Sequence, residues 1–317
     1  MSSSASRILT QASRLARAAR TPRESARVLA ARLSGEAAAH AAPWVPPGHF
    51  YSPYPDLAEY ERRAAALHDP DREIVGVDLR AEEQLALLDR LAAELAVELE
   101  LPEHRDPTGG WRYWLDNPSY AYGDGVVLHA MLRYVRPRRI VEVGSGFSSA
   151  LILDTVDRYL PEAEVTFVEP YPELLESLLR PGDDERVAIH RVPVQDVDLD
   201  VFTSLERGDV LFIDSTHVSK AGSDVNHLFF EVIPRLAQGV WIHLHDIFHP
   251  FEYPDAWIRE GRAWHEIYLL RAFLTCNTAF VVRWFQDFLW TCHREAFTKL
   301  PWVERNAGGN VWLQRVV

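Results

Sequence analysis

Two cysteines in 317 residues, Cys276 and Cys292, set the first limit. They stand without metal-ligand spacing, which excludes a disulfide framework and a cysteine zinc site and fits a reducing cytoplasm. No uncharged apolar run reaches the length, about 18 residues, that a membrane-spanning helix needs, and no stretch resembles a secretory signal. Basic residues are outnumbered 33 to 46, for a formal charge of -13. The clustered positive surface that binds nucleic acid or anionic lipid is therefore not expected. Internal repeats are absent. What remains is a chain with 47% apolar content, enough for one large core and an accessory region.

The first 36 residues differ in kind. Arg7, Arg14, Arg17, Arg20, Arg23, Arg27 and Arg32 recur among alanines, with Glu24 the lone acid before Glu36. Residues 1–42 are read as an arm: a frayed helix outside the core, with a transit peptide or a docking segment as alternatives. Residues 43–130 are expected to form a strap and helical cap. Ala42 to Asp56 is rich in proline and aromatics, hence extended. Leu85, Leu88, Leu91, Leu95 and Leu99 recur at helical spacing over Ala81 to Leu99. The aromatic stretch Trp111 to Gly125 reads equally as a hydrophobic plug or a cover for a site, and a helix is expected over Val126 to Tyr134.

From residue 131 to 317 strand and helix alternate. The strands expected are Arg139 to Val143, Val165 to Pro170, Arg186 to Val194, Asp209 to Thr216, Gly239 to Ile247, Thr278 to Phe285 and Asn310 to Val316. Helices are expected over Ser223 to Ala237 and Trp264 to Cys276. This predicts an α/β fold, a Rossmann-like, seven-stranded, mostly parallel, doubly wound sheet whose last strand is a candidate for antiparallel pairing.

Arg139 to Ser149, RIVEVGSGFSS, organises the rest. A buried strand ends in Gly144-Ser145-Gly146 and runs into Phe147 and Ser148, where bare backbone and the first helical N–H groups can meet a ligand. The third glycine of a dinucleotide fingerprint is missing, which favours a smaller adenosyl ligand over a pyrophosphate. Acids recur at the carboxyl ends of the strands: Glu142, Glu169, Asp196, Asp214 and Asp246. Ligands of open α/β sheets bind there, and carboxylates suit a ribose diol, an adenine amino group or an amino-acid ammonium.

These residues resemble the class I S-adenosylmethionine-dependent methyltransferases, from about Arg133 onward. The resemblance implies a cofactor site of Glu142, Gly144, Ser145, Gly146, Phe147, Ser148, Glu169, Asp196 and Asp214. YGDG, VEVGSGFSS, FIDSTHVSKAGSD, HLHDIFHPFEYP, GGNVWLQ and HFYSPYPD look like a bacterial subgroup acting on small molecules.

His217, His245 and Asp246 are the candidate catalytic residues, with either histidine a base for an acceptor hydroxyl. His243, mid-strand, reads as a core histidine. Asp214, His217, His245 and Asp246 are also a candidate ligand set for Mg²⁺, Mn²⁺ or Fe²⁺. Related macrolide and catechol O-methyltransferases carry a second acid where Ser215 and Thr216 stand here. The activity expected is methyl transfer to a small-molecule hydroxyl or amine in the cytoplasm, with a homo-oligomer left open. The alternatives are a metal-dependent oxygenase or hydroxylase built on His217, His245 and Asp246, and a non-catalytic nucleoside-binding module. The loop Phe248 to Ala263 is placed to select the acceptor.

Overall fold

The computed structural model describes residues 44–95 and 100–317. The arginine-rich arm and the end of the helix expected to reach Leu99 lie outside them. Two compact units are present, divided at other points than the expected segment boundaries. In one, residues 44–62 join Asp255–Ala263: Tyr60 donates to Asp255 at 3.0 Å and Arg259 pairs with Glu61 at 2.7 Å. The proline-aromatic strap leaves Trp44, Phe50 and Tyr51 exposed. The loop expected over Phe248 to Ala263 is thereby shared between the units, with a short helix at Asp255–Arg259.

The other unit, Arg63–Pro254 and Trp264–Val317, holds the sheet. Its strands are β1 Arg139–Val143, β2 Glu164–Val168, β3 Ala188–His190, β4 Val210–Ile213, β5 Trp241–His245, β6 Phe280–Phe285 and β7 Asn310–Arg315. Their order is β3-β2-β1-β4-β5-β7-β6. β1 to β5 run parallel and β7 is antiparallel to both β5 and β6, so the last strand does reverse. β4 and β5 are buried at every position; β4 is accordingly a continuous apolar run, whereas β5 carries His243 and His245 among its apolar residues. β3 is shorter than the Arg186 to Val194 expected. It pairs on one side only, Pro193 has no N–H to offer a ladder, and Val194–Asp196 turns as a 3₁₀ helix instead.

Helix α1, Ala81–Leu95, packs on β6 and on helix α2, Tyr122–Val135, through Leu88 and Leu91. Each such buried leucine contributes about 1.5–3 kcal/mol. α2 starts four residues before the apolar periodicity does, taking in Gly123, Asp124 and Gly125. A Cβ on Gly123 would overlap the carbonyl of Ala307, so only glycine lets the helix approach that strand entry. Helix α3, Phe147–Tyr159, follows β1.

Trp111 to Gly125 is a plug. Tyr113, Leu115 and Tyr120 are buried, and Asn117 accepts from the N–H groups of Ser119 and Tyr120 while donating to the carbonyls of Trp114 and Tyr120. Arg112 staples it to the sheet unit. Its guanidinium reaches Asp154 at 2.9 Å, Asp157 at 2.8 Å and Asp183 at 2.6 Å, and its backbone N–H bonds Asp154 at 2.7 Å. Burial opposes the charge, but the three carboxylates hold Arg112 protonated at any accessible pH.

Candidate active site

Register assembles the site. Val168, Val143, Ile213 and Leu244 pair in line across β2, β1, β4 and β5, so the next residues, Glu169, Gly144, Asp214 and His245, emerge side by side at the carboxyl edge. Gly144 has φ +83°, and a Cβ there would overlap the Asp214 carbonyl oxygen. The glycine turn thus lets the ends of β1 and β4 touch.

Beside that turn lies a cleft of about 360 Å³ bounded by Gly144, Glu169, Tyr171, Gln195, Asp214 and Ser215, among others. The Glu169 carboxylate accepts from the N–H of Ser145 at 3.0 Å and of Tyr171 at 2.7 Å, which fixes it at the cleft wall. Burial pushes its carboxyl up, against those two bonds. Glu142, fully buried beneath the turn, accepts from the Ser149 hydroxyl, which itself accepts from the Gly146 N–H at 2.9 Å. Burial pushes Glu142 up to about 8, despite the hydroxyls of Ser148 and Ser149.

Ser148 and Phe147 are buried in the first turn of α3, Phe147 edge-on to Trp114 at 5.1 Å. Asp196 is exposed and outside the cleft wall; its neighbour Gln195 lines it, with Nε2 bonded to the Gly222 carbonyl at 2.8 Å. Glu142 Oε1, Gln195 Oε1 and Ser215 Oγ are buried without a hydrogen-bond partner. Buried polar atoms are normally paired. Two of these orphans, on Gln195 and Ser215, line the cleft, where a polar ligand with hydroxyl and amino groups would satisfy them, so the residues present fit an adenosyl amino-acid cofactor.

Asp214 belongs to the cleft and to a second, buried cluster. One of its oxygens lies 3.3 Å from His217 Nε2 and 3.3 Å from His245 Nδ1. Asp246 lies 3.5 Å from His217 and 3.7 Å from His245. Behind His217, its Nδ1 meets Glu266 at 2.7 Å; behind His245, its Nε2 lies 3.5 Å from Asp124. His217 and Asp246 hold left-handed backbone, φ +60° and +57°. Such strain in non-glycine residues concentrates at functional sites.

Burial disfavours charge throughout, yet the bonds to Asp214 and Glu266 raise His217 to about 10, and Asp214, Asp246 and Asp124 hold His245 well above the usual imidazole range. The two imidazoles depress Asp214 far below an ordinary carboxylate against its own desolvation; for Asp246 desolvation wins and the carboxyl rises. The surrounding carboxylates thus favour the protonated form of both histidines over what burial alone would allow.

The ligand atoms of Asp214, His217 and Asp246 all lie within 4.8 Å of one another, the spacing a single cation can bridge. His245 does not join that group. Its Nδ1 nevertheless lies 3.3 Å from Asp214 and 3.7 Å from Asp246, at the edge of the same gap. Thr216 is turned away, bonding Asp224 through its N–H at 2.8 Å and its hydroxyl at 2.7 Å. His243 is in the core, bonded to the Tyr120 hydroxyl at 3.0 Å and stacked on Trp312 at 5.0 Å.

Two participants escape sequence reasoning. Asp124 accepts from the Gly309 N–H at 3.1 Å and from Asn310 Nδ2 at 2.8 Å, so YGDG and GGNVWLQ close on each other behind His245. The signal existed in those two motifs, but nothing in them says that they meet. Glu266 is a first-turn acid of helix α4, Glu266–Leu274, a position so ordinary for a glutamate that no pattern marks it.

Residues 141–247 match the model of a family described as a methyltransferase domain. A protein of Archaeoglobus fulgidus, described only as uncharacterized, is 38% identical over 168 residues, covering 51% of this chain and 73% of its own. Among solved structures, the O-methyltransferase TomG from Streptomyces achromogenes, in complex with S-adenosylmethionine, is 15% identical over 74% of this chain and 90% of its own, at a TM-score of 0.38. The Podospora anserina methyltransferase PaMTH1, bound to S-adenosylhomocysteine, is 15% identical over 87% of this chain and 100% of its own, at 0.40. Likenesses this loose add nothing to the reading of the site. No helix among the described residues is long and apolar enough to cross a membrane.

Proposed function

We propose that this chain, which belongs to the class I S-adenosylmethionine-dependent methyltransferase family, methylates a hydroxyl group of a small molecule. The observation that carries this reading is the double role of Asp214, which bounds the cofactor cleft and also touches His217 and His245 at 3.3 Å each. A cofactor in the cleft therefore borders a buried set of imidazoles and carboxylates. Imidazole N–H donors beside carboxylate acceptors suit a hydroxyl, which both donates and accepts.

When bound, the cofactor supplies a sulfonium methyl, and a divalent cation held by Asp214, His217 and Asp246 would supply Lewis acidity to the acceptor oxygen. Glu169, Gln195 and the Gly144 turn bind and orient the cofactor, and Glu142 props the turn from beneath through Ser149. Asp246 and the two histidines orient the acceptor oxygen, and the Tyr120 ring, 4.9 Å from that of His245, helps to keep water out. The acceptor proton passes to this cluster of imidazoles and carboxylates, and a divalent cation held by Asp214, His217 and Asp246 would favour its loss.

The test is transfer of labelled methyl from S-adenosylmethionine to panels of phenols, catechols, sugars and amines, with and without added divalent cations. Methylated hydroxyls are expected, with Asp246→Asn lowering turnover by at least about a hundredfold while leaving cofactor affinity nearly unchanged. Methylation of amines alone, or oxygen consumption without methyl transfer, would contradict the reading.

A further inference from the structure

We propose that Glu266 is a positioning residue that fixes the tautomer of His217, and that it thereby makes the gap between Asp214, His217 and Asp246 a site for an imidazole-preferring transition-metal dication, of the Fe²⁺ or Co²⁺ kind, in preference to Mg²⁺. This rests on the cation reading of the cluster given above.

His217 is held by Glu266 at two points. Its carbonyl accepts the N–H groups of His265 at 2.8 Å and Glu266 at 3.2 Å, where α4 begins, and its ring Nδ1 meets the Glu266 carboxylate at 2.7 Å. The Trp264 ring lies against the imidazole at 4.5 Å. An imidazole whose Nδ1 faces a carboxylate keeps a proton on Nδ1. When it is neutral its lone pair is then on Nε2, the atom that faces Asp214 and Asp246 at 3.3 and 3.5 Å. A carboxylate behind a histidine is the arrangement that orients metal-binding imidazoles and strengthens their basicity.

Glu266 is 1% exposed, and its second oxygen has no partner. Burying a carboxylate costs several kcal/mol unless it is well paired. As a device for stability alone Glu266 is poorly built; as a device for aiming His217 it satisfies the oxygen that matters. One nitrogen and carboxylate oxygens form a donor set that suits Fe²⁺, Co²⁺ or Zn²⁺, whereas Mg²⁺ is selected by oxygen alone. The fixed tautomer therefore decides which cation the gap prefers.

The test is calorimetric and optical titration of the full-length protein with Co²⁺, in the absence and presence of excess Mg²⁺, with S-adenosylmethionine affinity measured on the same preparation. Co²⁺ is expected to bind at least about tenfold more tightly than Mg²⁺ and to show an absorption band that marks nitrogen ligation. Glu266→Ala should weaken Co²⁺ by about 10–100-fold, leave Mg²⁺ and cofactor affinity within about twofold of wild type, and be largely rescued by Glu266→Gln, whose carbonyl still accepts from Nδ1. Equal affinity for Mg²⁺ and Co²⁺ in the wild type overturns the inference while leaving the cation reading intact. Binding of neither metal, with the cofactor bound, overturns both. The wild-type competition decides even if Glu266→Ala does not fold. An unchanged Co²⁺ affinity in a folded Glu266→Ala removes the positioning role.

Discussion

Replacing Glu142 by glutamine should stabilise the protein at alkaline pH. Glu142 is fully buried beneath the glycine turn, and burial raises its carboxyl from 4.5 to about 8. Between those two values the folded protein keeps a proton on Glu142 that the unfolded chain has lost. The unfolded state thus binds fewer protons, so stability falls as pH rises, with a limiting slope of about 1.4 kcal/mol per pH unit. From pH 6 to pH 8, bending at the folded value included, the loss is roughly 2 kcal/mol. Glu142→Gln keeps the acceptor for the Ser149 hydroxyl and removes the titration. Urea unfolding of both proteins at pH 6, 7 and 8 measures the difference between them. The stability of the glutamine variant relative to wild type should climb by roughly 2 kcal/mol across that range. A difference that stays flat would show that Glu142 is ionised in the folded state and that a partner for its orphan oxygen has been overlooked.

Arg112→Met strips Asp183 of its guanidinium and leaves Asp154 only the longer contacts to Arg158 and Arg180, at 3.6 and 3.7 Å, and should cost about 3–5 kcal/mol in urea unfolding; a loss under 1 kcal/mol would make the staple dispensable. Glu169→Ala should weaken S-adenosylmethionine binding about tenfold or more, the worth of charge-assisted hydrogen bonds, whereas Asp196→Ala, on an exposed side chain, should leave it within about twofold. The reverse ranking in a calorimetric titration would move the cleft. Gly144→Val should not yield a folded protein that merely fails to bind cofactor, because its Cβ meets the Asp214 backbone before it meets a ligand. A cooperative melt at the wild-type temperature would refute that.

The parallel sheet was legible because β1, β4 and β5 are buried almost throughout and so read as short, mostly apolar runs between helical stretches. Acids at strand ends were legible too, since position along a strand is what a sequence records. Register then converts strand ends into neighbours, and four of the predicted residues or their strand ends, Gly144, Glu169, Asp214 and His245, emerge in one row. Side-chain direction was less legible. Asp196 and Gln195 are adjacent in sequence, and the 3₁₀ turn that presents Gln195 to the cleft and leaves Asp196 in solvent comes from truncation of an edge strand at Pro193. His217 and His245 looked equivalent, and both face Asp214 and Asp246, yet one is backed by Glu266 and the other by Asp124. The partners behind them, Glu266 and Asp124, are remote in the chain and are brought up by packing of α4 and of the Asn306–Asn310 entry to β7. No local periodicity encodes such contacts.

On the proposed reading, the cleft beside the Gly144 turn binds S-adenosylmethionine and delivers its methyl group to the Asp214 cluster. The most direct measurement of that reading is calorimetric titration of the purified protein with S-adenosylmethionine, before and after chelation, on wild type and Glu169→Ala. One site per chain in the wild type, retained after chelation and weakened about tenfold or more in the variant, is the result expected. No binding under either condition, or binding indifferent to Glu169, would contradict it.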